Sequence, residues 1–215
     1  MRNPWLVSLI LIAACDKPAD TATPAAATPT AQAVAAPASQ PAPTSQPAPT
    51  AAAAPTGPAS AGGLTWSDAP PLVRRAPKNA MRAAEYGVEG DERSELSVFY
   101  FGPEQAGQNV VEPNVTRWLG QLAQPDGSDT TQKAKRSELK VGTMVVNMVE
   151  AAGTFSGGMS MPGAPAVPPL PDALLLGAIA NGPKGAVFFK LVGTRAAVER
   201  ARPALLTMLN SLRAE

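Results

Sequence analysis

From Leu64 onward, apolar and polar positions recur with two periods, and their order predicts the elements of a folded domain. Ala80 to Val88 alternates loosely, with Ala80, Arg82, Ala84, Tyr86 and Val88 on one side, which predicts a long first strand. In Glu95–Phe101, Leu96, Val98 and Tyr100 face one way while Phe99 and Phe101 face the other, so a central strand apolar on both faces is expected. Asn114 is placed to cap a helix in which Val115, Trp118, Leu119 and Leu122 fall at i, i+3, i+4 and i+7, until Pro125 ends it. Asp126 to Asp129 reads as the following turn, and the Val- and Met-rich stretch Leu139–Val149 as one further long strand. Ala173–Ala180 and Ala186–Val192 flank Asn181 to Gly185, which predicts a hairpin. Thr194 begins a last helix with Val198, Ala201, Leu205, Leu209 and Leu212 as its buried stripe. Pro203 removes one hydrogen bond within it, so a kink or a new helix start is expected there.

Strands, helix, strands, hairpin and helix in that order predict an α+β fold: an antiparallel sheet flanked by helices, in one domain spanning 64–215. Gly153 to Pro171, rich in Gly, Pro and Met, reads as a long loop between strands. Residues 17–63 lack such periods. They are mostly Ala, Pro, Thr, Ser and Gln, with Lys17 and Asp20 their only charges and Val34 their only branched aliphatic. Ordering a chain costs about 1 to 2 kcal/mol per residue, and this stretch has almost nothing to bury in return. Its tandem SQPAPT hexapeptides, Ser39–Thr44 and Ser45–Thr50, favour an extended spacer of about 3.1 Å per residue. A disordered Pro/Ala-rich tether over 15–63 is the expectation.

The first residues carry a targeting pattern. Arg2 precedes an apolar run, Trp5 to Ala14, which is about half the roughly 20 residues needed to span a bilayer and stops at Asp16 and Lys17. Ile12-Ala13-Ala14-Cys15 resembles the lipobox of bacterial lipoproteins. That resemblance implies removal of residues 1–14 as a signal peptide, lipidation of Cys15, and anchoring to a membrane of the cell envelope with the domain in the periplasm. Each buried methylene contributes about 0.8 kcal/mol, so several acyl chains hold where one does not. Asp16 resembles an inner-membrane retention signal, and the choice of membrane stays open.

A second resemblance covers Asn114-Val-Thr-Arg-Trp-Leu-Gly-Gln, similar to an "N-x-N-R-W-x-G-Q" segment of uncharacterised bacterial envelope lipoproteins, with Thr116 in place of the second Asn. The element order is similar to that of the superfamily containing PsbP and a Ran-binding nuclear import factor. This implies an α/β/α sandwich and a binding role without catalysis. Arg117, Trp118 and Gln121 are the candidate binding residues, since Arg and aromatic side chains dominate interfaces; Trp118 also lies on the apolar stripe, where it reads as core.

Composition then narrows the chemistry. The 215 residues include no His, and Cys15 is the only Cys, which removes disulfides, Cys/His zinc sites, His bases and cysteine nucleophiles in one step. A net charge of +1, mixed along the domain, gives no footprint for nucleic acid. Met159 and Met161 are too few soft ligands for Cu(I), and Ser160 does not complete G-x-S-x-G. Asp126 and Asp129 do not reproduce a calcium loop. No catalytic residue, metal or cofactor is expected. The partners expected are the membrane, through Cys15, and a protein or cell-wall component. The competing readings are a Ser-Lys or carboxylate hydrolase and a lipid or small-molecule carrier.

Overall fold

The computed structural model describes residues 57–106, 108–157 and 168–215. Cys15, the tandem hexapeptides and Met159-Ser160-Met161 lie outside them.

Two short strands, β1 (Ala59–Ala61) and β2 (Leu64–Trp66), open the described chain, so paired structure begins ahead of Leu64. Then come β3 (Leu72–Arg75), β4 (Arg82–Val88) and β5 (Asp91–Tyr100), followed by helix α1 (Val111–Leu119) and strand β6 (Leu122–Ala123). Helix α2 (Thr130–Lys133) leads to β7 (Lys135–Val141), β8 (Met144–Phe155), β9 (Leu170–Gly182) and β10 (Gly185–Thr194). Helix α3 (Arg195–Asn210) and β11 (Arg213–Ala214) end the chain.

The larger sheet runs β3-β4-β5-β10-β9-β8-β6, with β7 also paired to β8, and every pairing is antiparallel. Its two faces separate cleanly by alternation. Leu174, Leu176 and Ala178 of β9, with Phe189 and Leu191 of β10 and Leu96 and Val98 of β5, pack under Val198, Ala201, Leu205 and Leu209 of α3. On the opposite face, Leu175 and Ile179 of β9 and Phe188 of β10 pack against Val115, Trp118 and Leu119 of α1. The expected α+β fold with an antiparallel sheet is present, with a helix on each face. At Gly177, at the middle of β9, a Cβ would stand 2.5 Å from the Trp118 ring; only glycine lets the indole lie on the sheet.

Several expectations are corrected. Helix α1 starts at Val111, so Asn114 is not its cap. Pro113 fits the first turn, where N–H groups have no intrahelical partner, and the Asn114 amide donates instead to the Val110 carbonyl (2.8 Å). The helix also stops at Leu119 rather than before Pro125, and Leu122 stays buried by joining β8 as a strand residue. Leu139–Val149 is two strands: Gly142, at φ 60°, reverses the chain in a tight hairpin. The loop at 153–171 is shorter than expected, since β8 continues to Phe155 and β9 starts at Leu170. Thr194 does cap α3, accepting from the Ala197 N–H, and the helix runs through Pro203 without a second start.

The strand expected from Ala80 begins at Arg82, and Arg82 does not share a face with Ala84. Arg82 pairs with Phe99 and Ala84 with Val98, so two steps on β4 match one on β5. That bulge at Ala83 turns Arg82 onto the α1 side of the sheet, beside Glu85.

Candidate functional site

Helix α1 covers β8, β9 and β10, and the α1-side residues of β3, β4 and β5 are dressed by charged side chains instead. Glu85 of β4 has no exposed surface, although it is a carboxylate. It accepts from Arg75 Nε (2.7 Å), Arg82 Nη1 (2.6 Å) and the Lys78 backbone N–H (2.9 Å). Glu95 of β5 takes Arg75 and Lys78 on Oε2 and Arg82 on Oε1, where Ser97 Oγ also donates (3.3 Å). Burial alone would raise both carboxyls. For Glu85 the Lys78 N–H and Arg82 outweigh it; for Glu95 the Lys78 ammonium and Arg82 do so and hold the group at about 2.

Lys190 stands at the border between this charged half and α1. Register places it between Ser97 of β5 and Gly177 of β9, on the α1 side. Its partly buried ammonium donates to the Gln121 side-chain oxygen and lies 5.0 Å from the centre of the Phe155 ring. It forms no ion pair among the described residues. Burial pushes the amine down to about 8; Glu95 opposes this, while the nearby Arg117 and Arg82 add to it. Phe99 and Phe101 stack at 6.0 Å on the same side, with Arg82 over Phe99.

The expected binding residues therefore separate. Trp118 is 2% exposed and belongs to the core, edge-on to Phe188 at 6.5 Å. Arg117 is exposed and donates to Asn114 Oδ1 (2.7 Å), while Gln121 is half-buried and holds Lys190. Lys190 lies in a run that reads as an apolar strand, and its one signal in the sequence is that it is the only charge in Ala186–Val192. Asp126 accepts from Ser128 and Lys133, and Asp129 caps α2 by accepting from the Thr131 N–H, so both serve local turns. Among the described residues no three His, Cys, Asp or Glu side chains gather to hold a metal ion, and no helix is long and apolar enough to cross a membrane.

The depressed Lys190 amine has a measurable consequence. Its value in the fold, about 8, lies below its ordinary 10.5, so folding is penalised while the ammonium must stay charged and the penalty is relieved as pH rises through this window. Unfolding free energy in urea is expected to rise by about 2 kcal/mol between pH 7 and 9.5, and Lys190→Met should abolish the rise. Tyr86 does not interfere: burial and the Asp68 carboxylate raise its hydroxyl, so its own contribution is lost only above pH 10.

No protein-family model matches the chain, and no curated protein matches it. Its fold is similar to the solution structure of cyanobacterial PsbP (CyanoP) from Synechocystis sp. PCC 6803, with a TM-score of 0.44 and 10% identity over 72% of this chain and 88% of that one. The roles of Lys190, Gln121 and Arg117 are read from their geometry alone.

Proposed function

We propose that the chain is a membrane-anchored envelope lipoprotein, cut before Cys15 and lipidated there, whose folded part binds a partner and does no covalent chemistry. The lipobox-like Ile12-Ala13-Ala14-Cys15, the short apolar run before it and the Pro/Ala/Thr tether after it support the anchoring. The observation that carries the binding role is the half-face beside α1. There Lys190, Arg117, Arg82, Arg75 and Lys78 surround only two carboxylates, Glu85 and Glu95, next to the partly buried rings of Phe99, Phe101 and Phe155. Arginines set beside aromatic rings are enriched at interfaces. The lipobox-like start supports a periplasmic domain held at the inner or the outer membrane.

Labelled palmitate is expected on the wild type and not on Cys15→Ala, with the wild-type mass lacking residues 1–14. Label that persists on Cys15→Ala rejects the anchor. A photocrosslinker at position 117 is expected to trap one discrete adduct in cells, against none from position 199 on the exposed side of α3; equal adducts from both positions reject the binding face.

A further inference from the structure

Among the described residues, the ammonium of Lys190 has no carboxylate paired with it. Its one hydrogen bond goes to a neutral amide, Gln121 Oε1. The carboxylate that acts on it is Glu95, and both oxygens of Glu95 are already taken by Arg75, Lys78, Arg82 and Ser97. The other charges acting on Lys190 are the cations Arg82 and Arg117. The segment 158–167, which follows Phe155 closely in the chain, contains no Asp or Glu. A desolvated cation ringed by cations is costly unless an anion completes it. Arg82 has its two terminal nitrogens committed to Glu85 and Glu95, whereas Arg117 uses only Nη2, on Asn114. A carboxylate brings one charge to match one half-buried ammonium, and it costs less to desolvate beside these rings than a phosphate carrying close to two. Phe155 beside the ammonium and the stacked Phe99 and Phe101 suit apolar groups flanking it.

We propose that Lys190, with Arg117 beside it, receives the carboxylate of an acidic peptide segment of a partner protein, whose neighbouring apolar side chains rest on Phe155, Phe99 and Phe101. This rests on the binding role proposed above and names the partner's chemistry. Gln121 is a positioning residue: its oxygen holds the ammonium beside the Phe155 ring. The bound carboxylate replaces solvent as counterion, so binding raises the amine toward its ordinary range and protects it from acylation.

The test titrates the full chain in nonionic detergent, at constant ionic strength, with Ac-Phe-Glu-Phe-NH2, Ac-Phe-Gln-Phe-NH2 and sodium acetate. Binding is read from the Gln121 side-chain amide resonances and from the rate of Lys190 acetylation. The glutamate peptide should shift Gln121 saturably and slow Lys190 acetylation, with at least tenfold weaker binding for the glutamine peptide and for acetate. Lys190→Met should abolish binding and Lys190→Arg retain it. Equal binding of the two peptides, unchanged binding by Lys190→Met, or no saturation up to about 5 mM peptide overturns the proposal. The crosslink from position 117 separates the two levels. If it forms but the peptide does not bind, the carboxylate is wrong and the binding face stands; if neither occurs, both fall.

Discussion

Glu85→Leu is expected to destabilise the folded domain by about 3 kcal/mol, lowering the thermal midpoint by roughly 10 °C. The side chain is fully buried, and its removal leaves Arg82 with Glu95 as its one carboxylate, its Nη1 then lacking a partner as its Nε already does. Arg75 and Lys78 can swing into water, being 37% and 57% exposed, and add little to the loss. Arg82 is only 16% exposed and cannot follow them without unpacking from Phe99. Converting the pair together, Glu85→Leu with Arg82→Met, should recover more than half of the lost stability, because no buried charge is then left alone. Calorimetry on the three proteins decides it; a double variant as unstable as the single one would show that the pair itself holds β4 to β5. The neighbouring carboxylate sets the acid limit. Glu95 is held at about 2 against an ordinary 4.5, so its stabilisation is complete above pH 4.5 and disappears as pH falls toward 2.

Trp118→Ala is expected to cost about 3 to 5 kcal/mol in urea unfolding. The indole fills the space between α1 and the sheet, over Gly177 and against Phe188, and the small side chain would leave a cavity that rigid strands cannot close. A contact residue would behave otherwise, since its loss would weaken partner capture at unchanged stability. Arg117→Ala should do that. Unchanged stability of Trp118→Ala would move the indole from core to interface and undo the division of the candidate residues drawn from the structure.

How much of this the sequence discloses depends on which residues set each feature. β5, β9 and β10 are legible as apolar runs buried on both faces and bounded by turn residues, and α3 because its apolar positions repeat at the helical period. Breaks governed by a single backbone position are less so. Gly142 divides a continuous apolar run into two strands, and Pro113 moves a helix start to a residue, Val110, with no capping side chain. The charged half-face was illegible for a different reason. Its assembly needs the bulge at Ala83, which brings Arg82 beside Glu85, and a register that sets Glu85 opposite Ser97. Neither leaves a pattern along the chain. Residue type and the helix pattern single out Arg117 and Gln121, while Lys190, four strands and a helix further on, meets them only through the pairing of β10 with β5 and β9.

The small sheet decides how the domain yields to force. β1 lies on one edge of β2 and β11 on the other, through Arg213↔Thr65 and Ala214↔Leu64, with the Glu215 N–H donating to the Gly63 carbonyl. A pull on the chain ahead of Ala59 reaches the hairpin end-on, at Ala59↔Trp66, and parts its pairs one after another rather than shearing them together. Peeling halts near Leu64, whose side chain is wholly inside the core. Each freed residue pays out about 3.4 Å of slack before tension can reach β3, β4 or β5. Tension arriving from that side is thus spent on this short hairpin before it reaches the face that carries Lys190.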